Sequence, residues 1–310
     1  MGTYMKISVI ISTYNGEKYI IEQIESVRNQ TVQADEVLIF DDCSSDNTEN
    51  ICSQYIENED LKNWIIVKNA ENKGWKKNFI DALNVAKGDL IFFCDQDDIW
   101  KAEKISEMSQ IMIERPEIEV LTSNCEAFYE DGRTVIRPEP ENGKVIKQSL
   151  NCRIFDTKYP GCTYCVRKSI AKKAIQYWQP DFPHDALLWR MAMFKGTLYS
   201  YNKSLIRWRR HNDSAYTLES INSKTKSTKR EWVEYGKRCI QMLRQYIEDE
   251  NCATNDKLLI LSESLKWLEC RAEFFDTHNI ITGLKLYKYH QYYPKIKQYF
   301  GDWYLVFLKK

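Results

Sequence analysis

Leu90-Ile91-Phe92-Phe93-Cys94-Asp95-Gln96-Asp97-Asp98-Ile99-Trp100 joins a nearly pure apolar run to three carboxylates within four residues. An apolar run of that length reads as a strand buried on both faces, as in parallel sheets covered by helices. Carboxylates at the end of such a strand are costly unless something neutralises them. A divalent cation does so, and all-oxygen ligands suit Mg²⁺ or Mn²⁺, which keep open positions for substrate phosphates. The competing reading is an acidic turn that caps the helix beginning near Glu103.

On either side of this stretch the pattern repeats. Strand-like runs at 7–12, 36–40, 64–67, 90–94 and 120–123 alternate with helical periodicity at 17–30, about 48–56, 75–86 and 103–114. The second helix is preceded by the polar stretch Ser44-Ser45-Asp46-Asn47-Thr48, rich in N-cap residue types. Strand-helix alternation with short connections predicts a mostly parallel twisted sheet with helices on both sides. Ligands of such sheets sit at the carboxyl ends of the strands. Three strands end there in polar groups: Ser12-Thr13-Tyr14-Asn15, Asp41-Asp42, and the acidic run above. Together they describe a pocket for a nucleoside diphosphate and a metal.

Beyond residue 125 the pattern loosens. Glu130-Asp131-Gly132-Arg133 reads as a hairpin turn, 187–194 as a helix, and 198–209 as strand broken by a turn at Asn202-Lys203-Ser204. From Ser220 onward the pattern is helical, over 230–248, 256–275 and from 280. The chain therefore divides into an α/β domain, 5–216, with a regular part (5–125) and a looser part (126–216), and a helical extension, 217–310.

Composition removes whole classes of function. Lys and Arg together balance Asp and Glu at 44 each, so no large single-sign field exists and nucleic acid is not an expected partner. With only 11 Gly and 7 Pro, collagen-like and low-complexity classes are excluded. The apolar run near the N-terminus is too short for a secretory core, and no run approaches the ~18 apolar residues of a membrane span, so a cytoplasmic location is expected. The ten cysteines lie scattered through apolar runs, which suits reduced, buried thiols. Cys162-x-x-Cys165 has no second pair of zinc ligands at comparable spacing.

Four motifs carry a resemblance. Ser8-Val9-Ile10-Ile11-Ser12-Thr13-Tyr14-Asn15-Gly16 resembles the opening of family 2 glycosyltransferases of the GT-A fold. Asp41-Asp42-Cys43-Ser44-Ser45-Asp46-Asn47-Thr48 is similar to that family's Asp-Asp-Gly-Ser-x-Asp-x-Thr, with Cys43 where Gly is usual. Asn72-Lys73-Gly74-Trp75-Lys76-Lys77-Asn78 is similar to its Asn-x-Gly-x-x-x-Asn loop, and Asp95-Gln96-Asp97-Asp98-Ile99-Trp100 to the form seen in bacterial rhamnosyltransferase-like members.

The resemblance implies an inverting hexosyltransferase that uses a nucleotide sugar. Ser12, Tyr14 and Asp42 would hold base and ribose, Asp95 would sit near the ribose, and Lys77 (or Lys76) would meet the diphosphate. Asp97 would bind Mn²⁺ or Mg²⁺, joined by His211 of Trp208-Arg209-Arg210-His211-Asn212-Asp213-Ser214. Asp185, in Phe182-Pro183-His184-Asp185-Ala186-Leu187-Leu188, matches the place of the base that takes the acceptor's proton. His184 would support it, and Gly161 and Trp100 would line the acceptor side; an N-cap role for Asp185 and a core role for Trp100 stay open.

The implied donor is dTDP-rhamnose, the implied product a surface polysaccharide, and the acceptor a glycan that a lipid can carry. UDP-glucose, UDP-galactose or a UDP-N-acetylhexosamine is the alternative donor, and a non-catalytic nucleotide- or glycan-binding protein of the same fold the alternative class. Residues 281–310 combine six lysines and one aspartate with interleaved Tyr, Phe and Trp. That composition suits a peripheral contact with the inner face of an anionic cell membrane, and equally a helix packed on the catalytic domain or in a homo-oligomer.

Overall fold

The computed structural model describes residues 4–129, 131–211 and 225–309. Among them the alternation is found in order: β1 (Ile7–Thr13), α1 (Ile20–Arg28), β2 (Glu36–Asp41), α2 (Thr48–Asn58), β3 (Trp64–Lys68), α3 (Trp75–Val85), β4 (Leu90–Asp95), β5 (Ile99–Trp100), α4 (Lys104–Glu114) and β6 (Val120–Tyr129). Then follow β7 (Thr134–Arg137), β8 (Val145–Lys147), β9 (Tyr164–Arg167), α5 (Lys168–Tyr177), α6 (His184–Lys195) and β10 (Leu198–Arg210).

These strands form one sheet in the order β3-β2-β1-β4-β9-β6-β10-β5. β3, β2, β1 and β4 run parallel, and Ser12 pairs with Asp95 across the β1–β4 ladder, so both residues reach the same edge. Past β4 the sheet becomes mixed. β9 lies antiparallel to both β4 and β6, β10 is parallel to β6, and β5 is antiparallel to β10. Val9, Ile11, Leu90, Phe92 and Cys94 are almost fully buried in the main core, as their runs require.

Two expectations need correction in detail. β10 is one strand from Leu198 to Arg210 rather than two joined by a turn. The Asn202–Ser204 stretch is instead an irregularity in its ladder with β6. Asn202 is buried, with its N–H on the Lys144 carbonyl and its own carbonyl accepting from the Asn142 and Gly143 N–H groups. β5 and β9 were not expected as strands.

The chain divides into two compact units. One comprises residues 1–148, 158–192 and 196–210 and contains the whole sheet. The other comprises 149–157, 193–195 and 211–310, so two upstream segments belong to it. Its helices are α7 (Lys226–Asp249), α8 (Asn255–Thr277), α9 (Ile280–Lys285) and α10 (Lys297–Phe307). Thr225 and Thr254 cap α7 and α8 through their side chains. Gly236 on α7 leaves room for α8, since a Cβ there would lie 2.8 Å from Leu268 Cδ1. Among the described residues no helix is long and apolar enough to cross a membrane, and no disulfide forms.

Candidate active site

The four motifs meet at the carboxyl edge of the parallel strands, and side-chain hydrogen bonds tie them to one another. Asn78, on the first turn of α3, donates to Ser12 Oγ and to the Phe40 carbonyl, each at 2.8 Å. Its Oδ1 accepts from Asn69 at 2.9 Å. Asn69 also donates to Asp42 Oδ1 at 2.8 Å. Asp42 further accepts the Lys73 N–H (2.9 Å) and the Gly74 N–H (2.8 Å), which holds the loop before α3 against the end of β2. Asp42 is 2% exposed and its carboxylate already takes three N–H groups. One lone pair, on Oδ2, remains for a further donor.

The β1 end is bound to the β2 end in the same way. Asn15 Oδ1 accepts the Ser45 N–H at 2.8 Å, the Asn15 N–H donates to Ser44 Oγ at 2.9 Å, and the Gly16 N–H donates to Thr48 Oγ1 at 2.8 Å. Cys43 has φ +62°, the left-handed conformation that explains why glycine suits this position better. Tyr14 is 47% exposed, and its backbone is paired on both sides with the Gln96 amide, at 2.7 and 2.9 Å. Its ring is thus presented outward from a fixed backbone.

The acidic loop is the electrostatic centre. Burial, then the charges of Asp97 and Asp185, push Asp95 up to about 7. Asp98 is fully buried and raised well above the carboxylate range, first by burial and then by Asp97 and Asp95. Its Oδ1 accepts the Arg209 N–H at 2.9 Å, while Oδ2 is buried with no hydrogen-bond partner. Ligand atoms of Asp95, Asp98 and Cys162 lie within 4.8 Å of one another. Crowded carboxylates with an unpartnered buried oxygen fit a hard divalent cation. Burial, then the charges of Asp98 and Asp95, raises the Cys162 thiol well above its ordinary value, and a soft sulfur ligand suits such an ion less than the carboxylate oxygens. Behind the loop lies Lys104, fully buried, donating to the Cys162 carbonyl at 2.7 Å and placed 4.3 Å over the Trp100 ring.

Asp185 lies in the first turn of α6, where an oxygen accepts the Ala186 N–H at 2.7 Å. It is close enough to raise the pKa values of both Asp95 and Tyr164. Gly161 makes this approach possible. A Cβ there would stand 2.8 Å from His184 Nε2 and 3.2 Å from Asp185 Cβ. His184 is buried between Phe79 and Phe93, at ring distances of 4.1 and 4.7 Å, with Trp75 edge-on at 6.3 Å. Burial lowers its pKa to about 3, so the ring is neutral and packs like an aromatic side chain.

Not every expected residue comes to this edge. Trp100 is 3% exposed and packs on Phe92 in the core. A ring so covered cannot offer a face to a sugar, and the acceptor role gives way to the core role. Lys77 is ion-paired with Asp81, one turn further along α3. His211 follows β10 directly, and its neighbours Asn212, Asp213 and Ser214 lie outside the described residues, as does Glu130 of the expected hairpin turn. The sequence marks Asp98 and Gln96 only as parts of the acidic motif, and it does not mark Asn69 or Arg209 as site residues. Arg209 donates through Nε to the Asp97 carbonyl at 2.8 Å, across more than a hundred residues of chain.

Residues 8–173 match the family described as glycosyl transferase family 2, more than half of the chain. The chain belongs to glycosyl transferase family 2. It is 32% identical over 163 residues to a dTDP-rhamnosyl transferase, RfbG, of Shigella flexneri, an alignment covering 51% of this chain and 54% of that relative. It is 27% identical over 235 residues to a putative teichuronic acid biosynthesis glycosyltransferase, TuaG, of Bacillus subtilis, covering 74% and 86% respectively. The chain thus spans about half the length of the first of these relatives and most of the second. The solved structure of Staphylococcus aureus TarS in complex with UDP-GlcNAc superposes with a TM-score of 0.63 at 21% identity, over 96% of this chain and 81% of that one. The fold of this family 2 member is therefore the GT-A fold.

Proposed function

We propose that this protein is an inverting, metal-dependent glycosyltransferase that moves rhamnose from dTDP-rhamnose to a growing surface polysaccharide. The observation that carries the reading is the place of Asp185. It stands at the start of α6, within electrostatic reach of Asp95 and so of the acidic loop. The rhamnosyl donor is favoured by the similarity to a dTDP-rhamnosyl transferase. A UDP-N-acetylhexosamine donor is the second reading. Its support is a 112-residue stretch 36% identical to the poly(ribitol-phosphate) beta-N-acetylglucosaminyltransferase TarS, covering 36% of this chain and 19% of that one.

In the reaction the acceptor hydroxyl oxygen attacks the anomeric carbon from the face opposite the leaving group. Asp185 takes the hydroxyl proton as the new C–O bond forms. The bond from the anomeric carbon to the diphosphate oxygen breaks, and the nucleoside diphosphate departs with the electron pair. Asp97, with Asp95 and Asp98 beside it, would hold a divalent cation, and His211 is proposed as a further contact on that side. Such an ion, when bound, neutralises charge on the departing diphosphate. Tyr14 offers the base an exposed ring, Ser12 is proposed to meet the ribose, and Lys77 would have to leave its ion pair with Asp81 to meet the diphosphate. Gly161 and His184 set the position of Asp185.

Asp185→Asn tests this assignment. Transfer from dTDP-rhamnose should fall by about 10²–10⁴, the range of a lost general base, while donor affinity changes little. Retained transfer would remove Asp185 from the role. Turnover by the unaltered protein with UDP-GlcNAc and none with dTDP-rhamnose would establish the second reading.

A further inference from the structure

The outward faces of α9 and α10 are unlike the rest of the C-terminal unit. Ile280, Ile281 and Leu284 form one apolar stripe, and Phe300, Tyr304 and Leu308, each four residues from the next, form another. These six are 53–72% exposed. The helices are not loosely attached. Tyr299 donates to the Gly283 carbonyl at 3.2 Å, and Gly283 fits so closely under α10 that a Cβ there would stand 2.6 Å from Trp303 Cζ2. Their inward faces are fully used, and the apolar stripes are what remains outside.

Within 280–309 the exposed charges are lysines, while Glu273 of α8, exposed beside them, accepts from Thr282 Oγ1 at 2.9 Å. Lys285, Lys288, Lys295 and Lys297 are exposed. Asp302, the sole acidic residue of 280–310, is 1% exposed. Arg271 neutralises it through two hydrogen bonds of 2.6 and 2.8 Å, and the Tyr293 hydroxyl donates to it at 2.9 Å. Burying the only carboxylate of this segment against an internal guanidinium leaves α9 and α10 themselves with exposed apolar and cationic side chains and no exposed carboxylate. An isologous contact between two copies would set lysines against lysines, which disfavours a second copy of this chain as the occupant. Exposed aliphatic residues flanked by lysines are instead complementary to the headgroup boundary of a bilayer that carries negative charge.

We propose that α9 and α10 dock this protein on the surface of an anionic lipid bilayer, with the two apolar stripes entering the headgroup region and the lysines meeting lipid phosphates. The surface lies entirely within the C-terminal unit, so the proposal stands independently of the donor and base assignments above.

Vesicle flotation with the full chain tests it. The protein should float with phosphatidylcholine vesicles containing about one-third phosphatidylglycerol, bind pure phosphatidylcholine at least tenfold more weakly, and lose most of the difference in high salt. Each of Lys285→Gln and Lys288→Gln should weaken binding roughly fivefold, and together they should act multiplicatively. Phe300→Ser with Leu308→Ser should weaken it at least tenfold; both residues are exposed, and an unchanged melting temperature and donor affinity would show that the fold is intact. The lipid and salt series on the unaltered protein needs no variant. Equal binding to neutral and anionic vesicles, or none to either, would overturn the proposal. A concentration-dependent dimer with no vesicle binding would assign the surface to a second copy.

Discussion

His184 and Asp185 are neighbours in sequence with opposite surroundings. Asp185 faces the acidic edge, while His184 is buried among Phe79, Phe93 and Trp75. Burial holds the imidazole neutral, at about 3 against an ordinary 6.5. The unfolded chain therefore binds a proton that the native state refuses between those values. This contribution to stability is fully present above pH 6.5 and is lost as pH falls toward 3. Roughly 2–3 kcal/mol of the stability lost between pH 7 and 4.5 should be due to this one residue. His184→Leu should lose correspondingly less over the same interval in urea titrations, and an identical loss in variant and parent would refute the assignment. The identity of this His-Asp pair is legible in the sequence. The use of the imidazole as an uncharged packing element is not, because Phe79 and Phe93 come to it from about a hundred residues away.

At the scale of elements, the parallel half of the sheet can be read directly, because every strand from β1 to β4 is an apolar run followed by a polar break and a periodic helix. β9 cannot be read this way. It is four residues long and begins inside the Cys162–Cys165 stretch, whose spacing draws attention to metal ligands instead. β5, at two residues, exists only through its pairing with β10. The same long-range geometry hides Arg209 and Lys104 as partners of the acidic loop. Gly161 is the element-scale hinge of the site, since it lets the short turn before β9 lie against the start of α6. Gly161→Ala would force its Cβ into His184 Nε2 at 2.8 Å, an overpacking that costs about 1–3 kcal/mol. Because α6 must shift to relieve it, kcat should fall by about tenfold or more while the affinity for the nucleotide donor changes little. A loss of donor affinity with kcat intact would place Gly161 on the donor side instead.

For the molecule as a whole, two compact units divide the work proposed here. The sheet-bearing unit holds the motifs of glycosyl transferase family 2 at one edge, tied together by Asn69, Asn78 and Asp42. The C-terminal unit presents the cationic apolar surface. The class of the first was open to reading from four motifs in order. The second was readable only as a composition, because the burial of Asp302 against Arg271 is what leaves α9 and α10 without an exposed carboxylate. The measurement that bears most directly on the central claim is calorimetric binding of dTDP-rhamnose, with and without Mn²⁺, to the unaltered protein and to Asp97→Ala. Binding that is saturable, strengthened at least tenfold by Mn²⁺, and insensitive to Mn²⁺ in the variant is the predicted result. The absence of binding to dTDP-rhamnose and to UDP-sugars alike, with or without the ion, would contradict it.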